Sequence, residues 1–161
     1  MKKFRRNMLG VLSFSLLCSL AHAGQNLQTF TAESLAQIEA QHEGQPFVLV
    51  LWSMHCAPCF AELEMLGTEL QHQPDLPVVL VSTDDVSMRD DVLELLAEYG
   101  LEKLPTWQFS EDIPEKLRYV IDQDWYGELP RSYYYDADHQ RSSHSGTLSQ
   151  QQLSAWLGKK G

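Results

Sequence analysis

The apolar run Phe47-Val48-Leu49-Val50-Leu51-Trp52 is followed, three residues on, by Cys56-Ala57-Pro58-Cys59, and then by Leu63, Leu66 and Leu70. A continuous apolar run of this length is the pattern of a strand covered on both faces. The spacing Cys59, Leu63, Leu66, Leu70 is the pattern of a helix with one buried stripe. The two cysteines therefore fall where a buried strand ends and a helix begins. A helix start leaves N–H groups unpaired and carries the positive end of the helix dipole, and both stabilise a thiolate. A thiolate is the species that attacks disulfides.

A C-x-x-C pair is also half of a zinc site, whose partner is a second C-x-x-C or paired histidines downstream. This chain has neither. The strand-to-helix setting favours redox use, with one cysteine attacking and the other resolving. A second apolar run, Val78 to Val81, and a second helical stripe, Val92, Leu95, Leu96 and Tyr99, follow. Strand, helix, strand and helix at this spacing predict a right-handed parallel unit.

The 161 residues suit one domain. Lys2, Lys3, Arg5 and Arg6 precede an apolar stretch from Met8 to Leu20, and Ala21-His22-Ala23 fits a small-x-small cleavage site. Residues 1–23 read as a signal peptide, with an uncleaved membrane anchor as the rival reading, the apolar run being shorter than the ~20 residues of a spanning helix. The division expected is thus 1–23 signal peptide and 24–161 folded domain, with the domain exported to the periplasm. Cys18 leaves with the signal, and Leu17 before it is too large for lipid processing. Cys56 and Cys59 then remain alone, so no framework of structural disulfides is expected. Eight Lys and Arg remain against 22 Asp and Glu, a net charge of −14. That charge argues against nucleic acid or an anionic membrane surface as partner.

Elsewhere the signals are more local. Gln25 to Gln28 reads as an exposed leader. Thr31 reads as the cap of a helix carrying Leu35 and Ile38, with Glu33 in its first turn. Ser87 with Asp90 reads as the cap of the helix that stops at Gly100. Between residues 101 and 128, Leu104 to Phe109 reads as a short extended piece and Pro114 to Ile121 as a short helix, together an insertion packed on the core. Ser132 to Tyr135 and Arg141 to Ser145 read as strands joined by a turn at Asp136 to Gln140. Ser149 with Gln152 forms a capping box, and Leu148 can staple onto Leu153 of the closing helix.

Trp52-x-x-x-Cys56-x-Pro58-Cys59-x-x-Glu62, the strand and helix after it, Leu129-Pro130-x-x-Tyr134-Tyr135-Asp136 and the closing helix together resemble the thioredoxin superfamily. More narrowly, they resemble its exported TlpA/ResA-type thiol-disulfide oxidoreductases. The resemblance spans about residues 30 to 160 and implies an α/β thioredoxin fold. That fold is a mixed central sheet flanked by helices, here with an insertion before the cis-proline strand. The chain departs from the family in having His55 where a second Trp is usual, Val50 where thioredoxins bury an acid, and His139 where a hairpin glycine is common.

Within that frame Cys56, at the exposed helix start, is the expected nucleophile, and Cys59, on the core-facing stripe, the resolving thiol. Pro58 suits the first turn of a helix. His55, as a cation, would lower the thiol pKa of its neighbour, or else is a polar loop residue. Glu62 lies about 60° around the helix from Cys59, beside the buried stripe. A half-buried acid there, where the family pattern also places one, would shuttle a proton to a thiol, or else Glu62 is an ordinary helix-surface acid like Glu64. Two Leu-Pro pairs compete for the cis-proline. Leu129-Pro130, followed by strand, turn and strand, is chosen over Leu104-Pro105, and would present the backbone of Leu129 to an extended substrate segment. Trp125, Tyr126 and Tyr133 to Tyr135 either line a groove or divide between core and surface by strand alternation.

The resemblance implies a reductant of protein disulfides that needs no cofactor or bound metal. It would be recharged by a membrane-embedded electron donor, with cytochrome c maturation and general disulfide repair both open as routes. A different class of function is copper handling through Met54, His55, Cys56 and Cys59, which offer soft ligands to Cu(I) in one short loop.

Overall fold

The computed structural model describes residues 27–158. The expected signal peptide, Cys18 and the start of the leader lie outside them. In chain order the elements are β1 (Leu27–Phe30), α1 (Ser34–Gln41), β2 (Phe47–Trp52), α2 (Ala57–His72), β3 (Val78–Ser82) and α3 (Arg89–Glu98). They continue with β4 (Thr106–Phe109), α4 (Pro114–Ile121), β5 (Arg131–Tyr135), β6 (Arg141–Ser145) and α5 (Gln150–Leu157). The six strands form one sheet in the order β1-β4-β3-β2-β5-β6. β1, β4, β3 and β2 run parallel, whereas β5 is antiparallel to β2 and β6 to β5.

β2 is central, and all six of its side chains are buried. Alternation along a strand sends neighbours to opposite faces. Val48, Val50 and Trp52 therefore join a core with Cys59, Leu63 and Leu66 of α2, Leu96 of α3 and Leu153 of α5. Phe47, Leu49 and Leu51 join a second core with Ile38 of α1, Leu117 and Ile121 of α4, and Tyr133 and Tyr135 of β5. Both faces are covered, as the unbroken apolar run requires. Gly67 lets α2 lie close to α3, because a Cβ there would strike the carbonyl of Tyr99.

Four expectations need correction. Leu27 and Gln28 are not leader: they begin β1, which pairs with β4, and Leu27 is buried. Four residues with no clear alternation carry no periodic signal of their own, and the open edge of β4 recruits them. Thr31 does not cap α1. Glu33 occupies that position without a side-chain capping bond, and Thr31 instead donates its N–H to Ser34 Oγ at 2.9 Å. The capping of α3 is displaced as well. Asp85 accepts from Ser87 N at 2.9 Å to start a short 3-10 turn, Val86–Met88, and α3 begins only at Arg89. Last, residues 101–128 do not merely pack on the core. The extended piece and the helix form as read, but β4 enters the sheet between β1 and β3, and α4 covers one face of it.

The C-terminal hairpin and helix follow the sequence closely. Asp136 Oδ1 accepts from the N–H groups of Asp138 and Gln140 at 3.0 and 2.8 Å and closes the turn. His139 takes φ 56°, a left-handed conformation that favours glycine. Its ring answers with a 3.1 Å contact to the carbonyl of His42 and an edge-on contact to Phe47. Ser149 and Gln152 form the reciprocal capping box, and Leu148 and Leu153 are both buried.

Candidate redox site

The site starts from the end of β2. Cys56 is the N-cap of α2, with extended backbone (φ −108°, ψ 91°), and Ala57 and Pro58 form the first helical positions. Proline costs no hydrogen bond there, because first-turn N–H groups have no intrahelical acceptor. The N–H of Cys59 donates to Cys56 O at 2.9 Å. The two cysteines are joined in a disulfide with their Cα atoms 5.3 Å apart. Cys56 is 9% exposed and Cys59 1%, so Cys56 is the outer and Cys59 the inner of the two. Both are far more enclosed than an open loop would leave them. His55 is exposed and Met54 half-buried.

Glu62 is 1% exposed, more deeply placed than the half-buried position its helical phase predicts, because β5 and the segment before α5 close over it. Ser132 Oγ donates to its Oε1 at 2.9 Å, and the N–H of Leu148 donates to Oε2 at 3.3 Å. Desolvation pushes this carboxyl up to about 7, against the two hydrogen bonds that favour the charged form. An acid poised near neutrality, one helical turn from Cys59, can take up or return a proton under ordinary conditions.

The Leu129-Pro130 peptide bond is cis. Pro130 is buried at the head of β5, and Leu129 is half-buried against both cores. Leu104-Pro105 instead leads into β4, with Pro105 O accepting from Leu80 N at 2.9 Å. Three successive residues after β6 tie these parts together. Gly146 N donates to Pro130 O at 2.9 Å, Thr147 Oγ1 to Pro58 O at 3.4 Å, and Leu148 N to Glu62. Sequence reading missed this stitch, because main-chain donors in a loop carry no residue signature.

The aromatic residues divide differently from either reading. Tyr133, Tyr134 and Tyr135 are all buried, because β5 is interior, between β2 and β6, and both its faces are covered. Trp125 is buried too, its Nε1 donating to Glu128 O at 2.9 Å, and Tyr126 is exposed. Tyr133 to Tyr135 line no groove, whereas Trp125 and Tyr126 line a pocket with Glu115, Arg118, Tyr119 and Gln123.

Sequence reading also missed Asp84. Its buried carboxylate accepts from Ser53 Oγ, Ser82 Oγ and the N–H of Met54. The available signal was a serine at the carboxyl end of each of two neighbouring apolar strands, each needing a polar partner. Among the described residues no group of three or more His, Cys, Asp or Glu is arranged to hold a metal ion. Nothing in the loop geometry favours the copper-handling alternative.

No protein-family model matches the chain, and no curated protein matches its sequence. Solved structures do match. One is a secreted disulfide oxidoreductase of Mycobacterium tuberculosis described as homologous to E. coli DsbE: 22% identity, TM-score 0.55, covering 74% of this chain and 84% of that one. A DsbF homologue from Corynebacterium diphtheriae matches with 18% identity and TM-score 0.59, over 74% of each chain. A thio-disulfide isomerase from Thermus thermophilus matches with 22% identity and TM-score 0.54, over 70% of this chain and 76% of its own. These likenesses establish the fold, which is that of thioredoxin, as expected from the sequence.

Proposed function

We propose that this protein is an exported thiol-disulfide oxidoreductase that reduces disulfides in other proteins. One observation carries the reading: a Cys56–Cys59 disulfide at the start of α2, with buried Glu62 one turn further along the same helix. In the reduced protein the Cys56 thiolate attacks one sulfur of a substrate disulfide, and the other substrate sulfur leaves as a thiolate. The Cys59 thiol then gives up its proton, to Glu62 in this reading, and attacks Cys56 Sγ. That step releases the second substrate sulfur and closes the Cys56–Cys59 ring. Two electrons pass to the substrate, and its two thiolates take up protons from Glu62 and solvent.

Leu129 is the proposed edge for substrate backbone. The half-exposed leucine just ahead of β5 supports it, and added-strand pairing would supply the main-chain bonds. Export rests on residues 1–23 and agrees with the secreted neighbour from Mycobacterium tuberculosis. In the periplasm the spent disulfide needs an electron donor, for which we propose a membrane-embedded one. Reduction of apocytochrome c is one route that fits, and disulfide repair is another.

The direction of electron flow rests on the residues inside the ring. Ala57 and Pro58 carry no charge, and exposed His55 lies outside the ring, where solvent screens it. A strong oxidant requires a stabilised thiolate. About 30 mV corresponds to ~1.4 kcal/mol for a two-electron couple. One screened charge therefore falls well short of the interval between about −270 mV and about −120 mV. Equilibration of the pure protein in glutathione or dithiothreitol buffers is expected to give a potential nearer the lower value. A result near or above about −150 mV would overturn the reductant reading in favour of an oxidant.

A further inference from the structure

Asp84 stands two residues past β3 and is 4% exposed. Its carboxylate has no ion-pair partner among the described residues. Neutral donors satisfy it instead. Ser53 Oγ donates to Oδ1 at 2.7 Å, Ser82 Oγ to Oδ2 at 2.7 Å, and the N–H of Met54 reaches both oxygens at 3.0 and 3.2 Å. Burying a carboxylate without a cation is costly, so its acceptor capacity has to be used in full.

The network continues toward the dithiol. Ser53 Oγ, having donated its proton to Asp84, accepts the N–H of His55 at 3.0 Å. Ser53 O accepts the N–H of Cys56 at 3.1 Å. Three consecutive N–H groups, those of Met54, His55 and Cys56, thus end on Asp84 or on the serine Asp84 holds. Ser82 fixes Asp84 in turn, its Oγ also accepting the N–H of Asp84 at 3.1 Å. The backbone leading into the nucleophile is held at every residue.

We infer that Asp84 is a positioning residue of the redox centre: it locks the Ser53–His55 segment so that Cys56 enters α2 with its sulfur at the helix N-terminus. The inference rests on the proposed dithiol chemistry. Its physical content is that a thiolate gains from helix-end N–H groups only while the cap geometry is held. A loosened entry loses that gain even though the fold survives.

The test uses the reduced full-length protein, iodoacetamide alkylation at about pH 7 with peptide mapping, and titration of the thiolate by its ultraviolet absorbance. Cys56 of the unsubstituted protein is expected to react first; if neither thiol exchanges or alkylates, the dithiol reading falls and this inference with it. Asp84→Asn and Ser53→Ala are each expected to slow Cys56 alkylation roughly tenfold or more, the scale of effect a small misplacement has on a reacting group. Ser53→Ala should also move the Cys56 titration to higher pH, whereas in Asp84→Asn the lost negative charge pulls it the other way. Ser53→Ala removes no charge, so it separates positioning from the field of the carboxylate, and it decides alone if Asp84→Asn does not fold. A Ser53→Ala protein that folds, with rate and titration within about twofold of the unsubstituted protein, overturns the inference and leaves the proposed function standing.

Discussion

Two buried carboxylates flank β5, and they behave in opposite ways. Glu62 is 1% exposed and Asp122 8%. Neighbouring residues of one strand serve them, Ser132 donating to Glu62 and Tyr133 Oη to Asp122 at 2.9 Å, because alternate side chains leave a strand on opposite faces. Glu62 receives neutral donors only, so desolvation prevails and its pKa rises to about 7. Burial pushes Asp122 up as well. The bonds from Tyr133 and from the N–H of Asp124, the charge of Arg141 and the bond from Arg131 outweigh it, and hold the carboxyl below the usual aspartate range. Arg131 Nη2 lies 3.1 Å and Arg141 Nη2 2.9 Å from the Asp122 oxygens. Deep enclosure with neutral donors therefore gives an acid that can exchange protons near neutrality in one place, and shallower enclosure beside two arginines gives a fixed anion fastening α4 to the β5–β6 hairpin in the other. Depth of desolvation and the charge of the partners decide it together.

The largest break in that comparison is Asp122→Ala. It leaves Arg131 and Arg141 without their shared anion, and the expected loss is about 4 kcal/mol of stability, the scale for removing one member of a buried pair. Denaturant melts check the loss, and the redox potential should stay at the unsubstituted value. A stability change under about 1 kcal/mol would show that the cluster is not a fastener.

Next in size is the pH dependence tied to Glu62. Its folded pKa lies above its ordinary value, so its contribution is fully present below about pH 4.5 and is lost as pH rises through about 7. The loss amounts to about 3 kcal/mol. Asp122 has the opposite sign, its contribution being lost only as pH falls through its depressed pKa. Glu62→Gln should remove most of the decline, leaving the variant more stable than the parent at about pH 8, and should shift the pH profile of thiol exchange. If melts across this range show parallel curves for parent and variant, Glu62 is not a buried titrating acid.

The smallest effect, and the one that sharpens the contrast, is Ser132→Ala. It takes one donor from the charged form of Glu62, so the Glu62 pKa should move further above 7, at a cost of about 1 kcal/mol at alkaline pH. Titration of the Glu62 carboxyl by NMR checks the direction. A downward shift would mean that Ser132 does not donate to the carboxylate.

Much of the frame was legible from residue pattern alone. β2, α2, β3, the β5–β6 turn and the capping box of α5 each announce themselves through periodicity or a local hydrogen bond, interactions that span only a few residues. β1, the entry of β4 into the sheet and the late starts of α1 and α3 were not legible. Short strands take their identity from the neighbour that pairs with them, and a cap competes with turns that only the folded chain presents. At the site, Cys56 and Cys59 could be placed by spacing, and Pro130 by the strand-turn-strand pattern after it. The stitch at residues 146–148 could not be read, since it consists of two backbone donors and one hydroxyl acting on residues as far as 89 positions away.

The order of the residues by itself determined that a dithiol would cap a helix following a buried strand, because hydrophobic period and helix-start chemistry are local properties. It determined also that the acid one turn on would stand close to the buried stripe. Only the tertiary structure decided what that acid is. Ser132 and Leu148 reach Glu62 across 70 and 86 positions of chain and bring no charge with them. Arg131 and Arg141 reach Asp122 across 9 and 19, and bring two. A pKa measures the whole surroundings of a group, and those surroundings exist only once the sheet has assembled.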